Sequence, residues 1–159
     1  LPVTIVRPFN TFGPRQSARA IIPTIISQIC AGKKAIALGN MNATRDFTYV
    51  TDTVDGFISI AETNKTEGNI YNVGSGREIS IRELVQTISQ ILKKNIKVLT
   101  EKQRIRPKKS EVERLLCDMS KIEDSCNWKA SFSLEEGLKK TCQWIKDNPH
   151  AYKSEIYNV

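Results

Sequence analysis

The hydrophobic pattern alternates between two periods. Val3–Arg7 (VTIVR) is β-branched and almost continuously apolar, which predicts a buried strand of a parallel sheet, stopped by Pro8. Gly13-Pro14 makes a turn. Ile22, Ile25, Ile26 and Ile29 then recur at i, i+3, i+4 and i+7, predicting an amphipathic helix with Pro23 in its first turn and Gly32 at its end. Ala35–Leu38 is a short apolar strand closed by Gly39-Asn40. Asp46–Val50 alternates, with Phe47 and Tyr49 on one face, and predicts another strand. Thr51 is placed to cap a following helix, Asp52 and Asp55 suit its positive end, and Val54, Phe57, Ile58 and Ala61 form its apolar face. Ile70–Val73 predicts a strand between the turns Glu67-Gly68-Asn69 and Gly74-Ser75-Gly76.

Two later helices carry capping-box signatures, Ser80 with Glu83 and Ser133 with Glu136. The first presents Ile81, Leu84, Val85, Ile88, Ile91 and Leu92. The second presents Leu134, Leu138, Cys142 and Ile145 and stops at Pro149. Between them the pattern gives a strand at Ile96–Thr100, a basic loop, a short apolar stretch at Arg114–Cys117 and a small helix from Ser120. Strands alternating with helices predict an α/β fold.

Composition adds bounds. The chain has 159 residues, 40% hydrophobic and 26% charged, which is ordinary for one globular domain with its own core. No apolar run approaches the roughly 20 residues that span a bilayer, and LPVTIVRP has neither the basic nor the small-residue features of a signal peptide. A start inside a buried strand reads as the start of a fragment. Cys30, Cys117, Cys126 and Cys142 are widely spaced, form no Cys-x-x-Cys and accompany a single histidine, so the expectation is no metal site and reduced, buried thiols in the cytoplasm. The net charge of +7 is diffuse, and its one dense basic stretch, Lys102–Lys109, lacks interleaved aromatics for base stacking. An anionic small molecule accounts for the excess without a nucleic acid.

The candidate chemistry concentrates in RPFNTFGPR (Arg7–Arg15) and TRDFTYVTD (Thr44–Asp52). Asn10 follows a strand and a proline, at the carboxyl edge where ligands bind in open α/β sheets. It either donates to a phosphate or sugar oxygen or stabilises its own turn. Arg45 either clamps a phosphate through paired N–H groups or pairs locally with Asp46 or Asp52. Arg104 and Arg106 share one side of a strand-like Arg-Ile-Arg, or belong to a solvated loop. Gly74-Ser75-Gly76 is too short for a phosphate-cradling loop and reads as a plain turn. His150 reads as exposed, Trp128 and Trp144 as packing. The chain contains no Gly-rich dinucleotide fingerprint and no Tyr-x-x-x-Lys pair.

The succession RPFNTFGPR, IIPTIISQI, TRDFTYVTDTVDGF, YNVGSG with SIREL, RIRP with SEVERLLCD, and NW with SLEEGL resembles the extended short-chain dehydrogenases/reductases, within them the nucleotide-sugar epimerases and 4,6-dehydratases. The wording looks most like UDP-N-acetylglucosamine 4,6-dehydratases of the legionaminic acid type. The resemblance covers essentially the whole chain and implies that residues 1–159 are the C-terminal, substrate-binding region of such an enzyme, with strands that would join a Rossmann sheet. It further implies NAD, bound mainly by an N-terminal domain that also carries the catalytic residues. On this reading the full-length enzyme is a cytoplasmic homodimer of polysaccharide biosynthesis, and this chain alone is inactive. The same resemblance assigns Pro8 and Phe9 to the nicotinamide and Asn10, Arg45 and Arg106 to the sugar-nucleotide diphosphate. Ile21, Ile36 and Leu38 fall to the nucleotide, and Glu111 to its ribose. The stretch Lys108-Lys109-Ser110 departs from the shorter turn of many relatives.

Overall fold

The computed structural model describes residues 1–101, 104 and 112–152. Arg106, Glu111 and most of the basic run Lys102–Lys109 lie outside the described residues. The chain forms two compact units, each assembled from three separated stretches. One comprises Leu1–Phe12, Thr44–Ile79 and Arg114–Leu134, the other Gly13–Ala43, Ser80–Glu113 and Glu135–Val159. The α/β class expected from the sequence is what forms.

In the first unit, β1 (Ile5–Pro8) pairs in parallel with β5 (Ile70–Val73), from Ile5 opposite Ile70 to Pro8 opposite Val73. Pro8 is the last residue of the strand rather than the first beyond it. It forfeits its own N–H, but the Phe9 N–H continues the ladder to the Val73 carbonyl at 2.8 Å. A second sheet centres on β4 (Thr44–Tyr49), flanked by β2 (Asn10–Phe12), β6 (Glu78–Ser80) and β8 (Arg114–Leu115). β2 and β6 escape sequence reading because three residues are too few to show a period. Phe47 and Tyr49 do share a face. Phe12 meets both edge-on, at 6.3 and 5.7 Å between ring centroids, and Phe132 stacks tilted on Tyr49 at 4.8 Å.

Helix α2 (Val50–Glu62) follows β4 directly. Thr51 does not cap it. The N-cap is Tyr49, which makes no side-chain cap bond, and Thr51 is exposed within the first turn. The buried face is also not the expected one. Asp52, Thr53, Gly56 and Ile60 point inward, while Val54, Phe57 and Ile58 are 53%, 43% and 48% exposed. The reason is close packing combined with hydrogen bonding. A Cβ on Gly56 would lie 2.8 Å from Val73 Cγ1 and 3.3 Å from the Trp128 ring, so glycine lets the helix approach. Asp52 accepts from the Ser131 and Phe132 N–H groups (3.1 and 3.0 Å) and from the Ser131 hydroxyl (2.7 Å), and Asp55 accepts from the Trp128 indole at 3.0 Å. Ile60, Tyr71, Val73, Trp128 and Ile122 of α4 (Ser120–Cys126) form the core beneath.

The second unit carries the helices whose periodicity was plain. α1 (Ile21–Cys30), α3 (Ile81–Leu92) and α5 (Leu134–Asp147) bury the expected faces, apart from half-buried Leu134 and Ile91. The Ser80–Glu83 capping box is complete: Glu83 N–H donates to Ser80 Oγ at 3.2 Å, and Ser80 N–H donates to the Glu83 carboxylate at 2.9 Å. β3 (Ala35–Leu38) pairs in parallel with β7 (Lys97–Thr100). Buried Gln28 ties α1 to β3, accepting from Ala37 N–H at 3.2 Å and donating to Thr24 O at 3.1 Å. All four cysteines are free. Cys117 and Cys142 are buried as expected, Cys126 is half-buried, and Cys30, at the end of α1, is exposed where a buried thiol was expected.

Candidate nucleotide-sugar site

The first unit places Asn10 and Arg45 on the neighbouring strands β2 and β4. Asn10 opens β2 and stands opposite Phe47 of β4. Its amide donates to the Asp46 carbonyl at 2.9 Å, which fixes the side chain one residue from Arg45. Arg45 is half-buried, and its guanidinium folds back to donate to the Thr44 carbonyl at 2.8 Å. An amide pinned by a carbonyl and a guanidinium pinned on its own strand have lost much of their rotamer freedom before any ligand arrives.

Between them sits a residue that sequence reading underrated. Asp46 is fully buried at 0% exposure, and its carboxylate accepts four hydrogen bonds. They come from the Ser75 N–H and hydroxyl (2.9 and 2.6 Å), the Gly76 N–H (2.9 Å) and the Cys117 N–H (3.2 Å). Gly74-Ser75-Gly76 is therefore more than a turn. Its N–H groups cradle an anion, and the anion is the protein's own. Gly74 must be glycine, because a Cβ there would collide with the Cys117 side chain. The one signal in the sequence was an acid inside an alternating aromatic strand, at the position facing away from Phe47 and Tyr49.

Beside this nest, Glu78 accepts from Arg114 Nε (2.9 and 3.0 Å) and Nη2 (2.7 Å) and from the Thr44 hydroxyl at 2.7 Å. The Arg114 and Thr44 hydrogen bonds hold the Glu78 carboxyl below the usual carboxylate range.

Pro8 and Phe9 sit where β1 ends. The Phe9 N–H is engaged by Val73, and the Phe9 carbonyl accepts from the Thr11 hydroxyl at 3.2 Å. In the second unit, Ile21 is the half-buried first residue of α1, and the Ile36 and Leu38 side chains are buried. The Leu38 carbonyl accepts from the Glu101 N–H at 3.0 Å. Gly39 follows, and a Cβ there would collide with the Arg104 backbone. Arg104 Nε pairs with Glu101 at 2.6 Å. Among the described residues no group of His, Cys, Asp and Glu could hold a metal, and no helix is long and apolar enough to cross a membrane.

The chain has known relatives. The model of the GDP-mannose 4,6 dehydratase family matches residues 1–141. The chain belongs to this family. It is thereby one of the extended short-chain dehydrogenases/reductases, the group that holds the NAD-dependent nucleotide-sugar epimerases and dehydratases. A UDP-N-acetyl-alpha-D-glucosaminuronate decarboxylase of Bacillus cytotoxicus is 36% identical over 152 residues, 92% of this chain and 47% of that protein. The human dTDP-D-glucose 4,6-dehydratase is 31% identical over 156 residues, 96% of this chain and 44% of its own. Among solved structures, the UDP-glucuronic acid 4-epimerase of Bacillus cereus in complex with UDP-glucuronic acid and NAD superposes with a TM-score of 0.84 at 27% identity, covering 93% of this chain and 46% of that one. The chain spans about half the length of the curated relatives it matches.

Proposed function

We propose that this chain is the C-terminal, nucleotide-sugar-binding part of an NAD-dependent sugar-nucleotide 4,6-dehydratase, and that UDP is the nucleotide. The observation that carries the reading is the fixed pair Asn10 and Arg45 on neighbouring strands of a family member. An amide and a guanidinium on neighbouring strands suit the oxygens of a diphosphate, and a planar guanidinium grips them through two N–H groups. The net charge of +7 suits a dianionic ligand. Arg106 and Glu111 are proposed to complete the site toward the second phosphate and the ribose. The backbone of Ile21, Ile36 and Leu38 is proposed to border the nucleotide.

NAD, when bound, supplies the oxidant at sugar C4 and returns the hydride. Of this chain, only the Pro8–Phe9 segment is proposed to meet it, at the nicotinamide. The Phe9 N–H is already engaged by Val73, so this segment lends shape rather than a free donor. The chain's own contribution is to bind and orient the sugar nucleotide; catalytic residues and most of the NAD site are assigned to an N-terminal domain. The family resemblance also carries the proposals of a cytoplasmic homodimer and of a place in polysaccharide biosynthesis.

The second reading within the family is a 4-epimerase, favoured by the close superposition on the UDP-glucuronic acid 4-epimerase. A reading of another class is a nucleotide-binding module without chemistry. Calorimetry with UDP tests the site: micromolar binding that disappears in Arg45→Ala is expected, and no binding by the unaltered chain would sink the reading. Incubation of the chain with NAD and UDP-N-acetylglucosamine should give no 4-keto product. The same incubation with the chain joined to an NAD-binding half separates dehydratase from epimerase by the product formed.

A further inference from the structure

Strand β8 docks on β4 through only two residue pairs, Thr44 opposite Arg114 and Arg45 opposite Leu115. A two-residue bridge fixes register weakly by backbone bonds alone. Here one carboxylate grips both members of the first pair. Glu78 takes the Thr44 hydroxyl at 2.7 Å and both Nε and Nη2 of Arg114, the latter also at 2.7 Å. Thr44 is in turn the residue whose carbonyl holds the Arg45 guanidinium at 2.8 Å. A continuous path of contacts therefore runs from Glu78 through Thr44 to Arg45.

An exposed ion pair is ordinarily worth little, about 0–1 kcal/mol. The Arg114 side chain is 67% exposed and that of Glu78 29%, so stability gives little reason for this geometry. Three features go beyond a casual surface pair: the fork-to-fork engagement of Arg114, the additional hydroxyl and the separation of 36 residues between the partners.

We propose that Glu78 is a positioning residue for Arg45, locking the Thr44–Arg114 pair so that the guanidinium is presented to the ligand in one orientation. The inference rests on the reading of Arg45 as a diphosphate anchor. Glu78 acts through Thr44 and does not touch the ligand. It also pairs with Arg114 at 2.7 Å.

The test is calorimetric titration of the 159-residue chain with UDP, with melting temperature measured in parallel. Glu78→Gln keeps an acceptor for Thr44 but loses the charge that holds Arg114. Arg114→Gln removes the other partner, and Arg45→Ala is the reference for loss of the anchor. The expected result is UDP binding weakened roughly tenfold by either Gln variant, with the double variant no worse than either alone and melting nearly unchanged. Equal affinity in Glu78→Gln and the unaltered chain, while Arg45→Ala loses binding, overturns the inference and leaves the proposed function standing. A lowered melting temperature with unchanged affinity assigns Glu78 a purely structural role and also overturns it. Tighter binding in Glu78→Gln would mean that Arg114 is being held back from the ligand, which overturns it again. Failure of the unaltered chain to bind UDP removes the reading of Arg45 on which the inference stands.

Discussion

The carboxylate of buried Asp46 and the backbone of half-buried Ser75, 29 residues apart, are joined at 2.9 Å, and the Ser75 hydroxyl closes on the same oxygen at 2.6 Å. Two further N–H groups, from Gly76 and Cys117, reach the second oxygen. The burial of this charge is offset by donors. Hydrogen bonds to a charged group contribute about 1.5–3 kcal/mol each, and donors left unpaired cost about 1–3 kcal/mol. Asp46→Ala should therefore lower unfolding free energy by roughly 3 kcal/mol or more. Asp46→Asn should recover little, because its NH₂ would face N–H donors. Urea unfolding of both variants checks this; a loss under about 1 kcal/mol, the size of one ordinary hydrogen bond, would show that the nest is not a structural anchor.

Gly56 sets how closely α2 lies on the first unit's core. Alanine would gain up to about 1 kcal/mol of helix propensity. Its Cβ would also come 2.8 Å from Val73 Cγ1 and 3.3 Å from two atoms of the Trp128 ring. Overpacking costs about 1–3 kcal/mol, so the net effect of Gly56→Ala should be destabilising by about 1 kcal/mol. Displacement of the indole should lengthen or break its 3.0 Å bond to Asp55 and shift Trp128 emission. A variant more stable than the parent, with unaltered fluorescence, would mean that the core yields at this point.

How far the sequence could be read depended on whether a position's role was set locally. The isoleucines of α1 and the Ser80–Glu83 box are decided by neighbours three or four residues away, and both appear as expected. The face of α2 is decided by Trp128 and by Ser131, 79 residues from Asp52, so the apolar stripe Val54–Phe57–Ile58 pointed the wrong way. The same holds at the candidate site. Asn10 was visible as an amide following a strand and a proline, and Arg45 as a guanidinium opening a strand. Asp46, whose carbonyl holds Asn10, was not, because the role of its carboxylate depends on a glycine turn 29 residues on. Arg106 and Glu111 rest on the family resemblance and lie outside the described residues.

The outward stripe of α2 has a counterpart on β1 and β5. Ile5 and Ile70 stand opposite each other in register and are 50% and 40% exposed. Parallel strands are normally covered on both faces and seldom stand as an isolated pair. The chain by itself should therefore self-associate. Light scattering across a dilution series should show a mass above that of one 17.9 kDa copy. Phe57→Ser with Ile58→Ser should lower that mass without lowering the melting temperature, since neither side chain is in the core. A strictly monomeric chain, indifferent to these changes, would show that the stripe is merely solvated.

The thiols give a prediction in pH. Burial pushes Cys117 up to about 12 from an ordinary 9.0, with help from the nearby Asp46 and Asp118 charges. Burial likewise pushes Cys142 up to about 12. The folded chain keeps these protons where the unfolded chain gives them up. Their contribution to stability is thus whole below pH 9 and is lost as pH rises from about 9 toward 12. The urea midpoint should fall between pH 8 and pH 10, and Cys142→Ala should flatten that fall relative to the parent. A thiol-specific chromogenic reagent at pH 8 should modify Cys30 first, because it alone of the four is exposed, and should reach Cys117 and Cys142 only on unfolding. Rapid reaction of Cys142 in the native chain would contradict its place on the buried face of α5 and remove the basis for the alkaline slope.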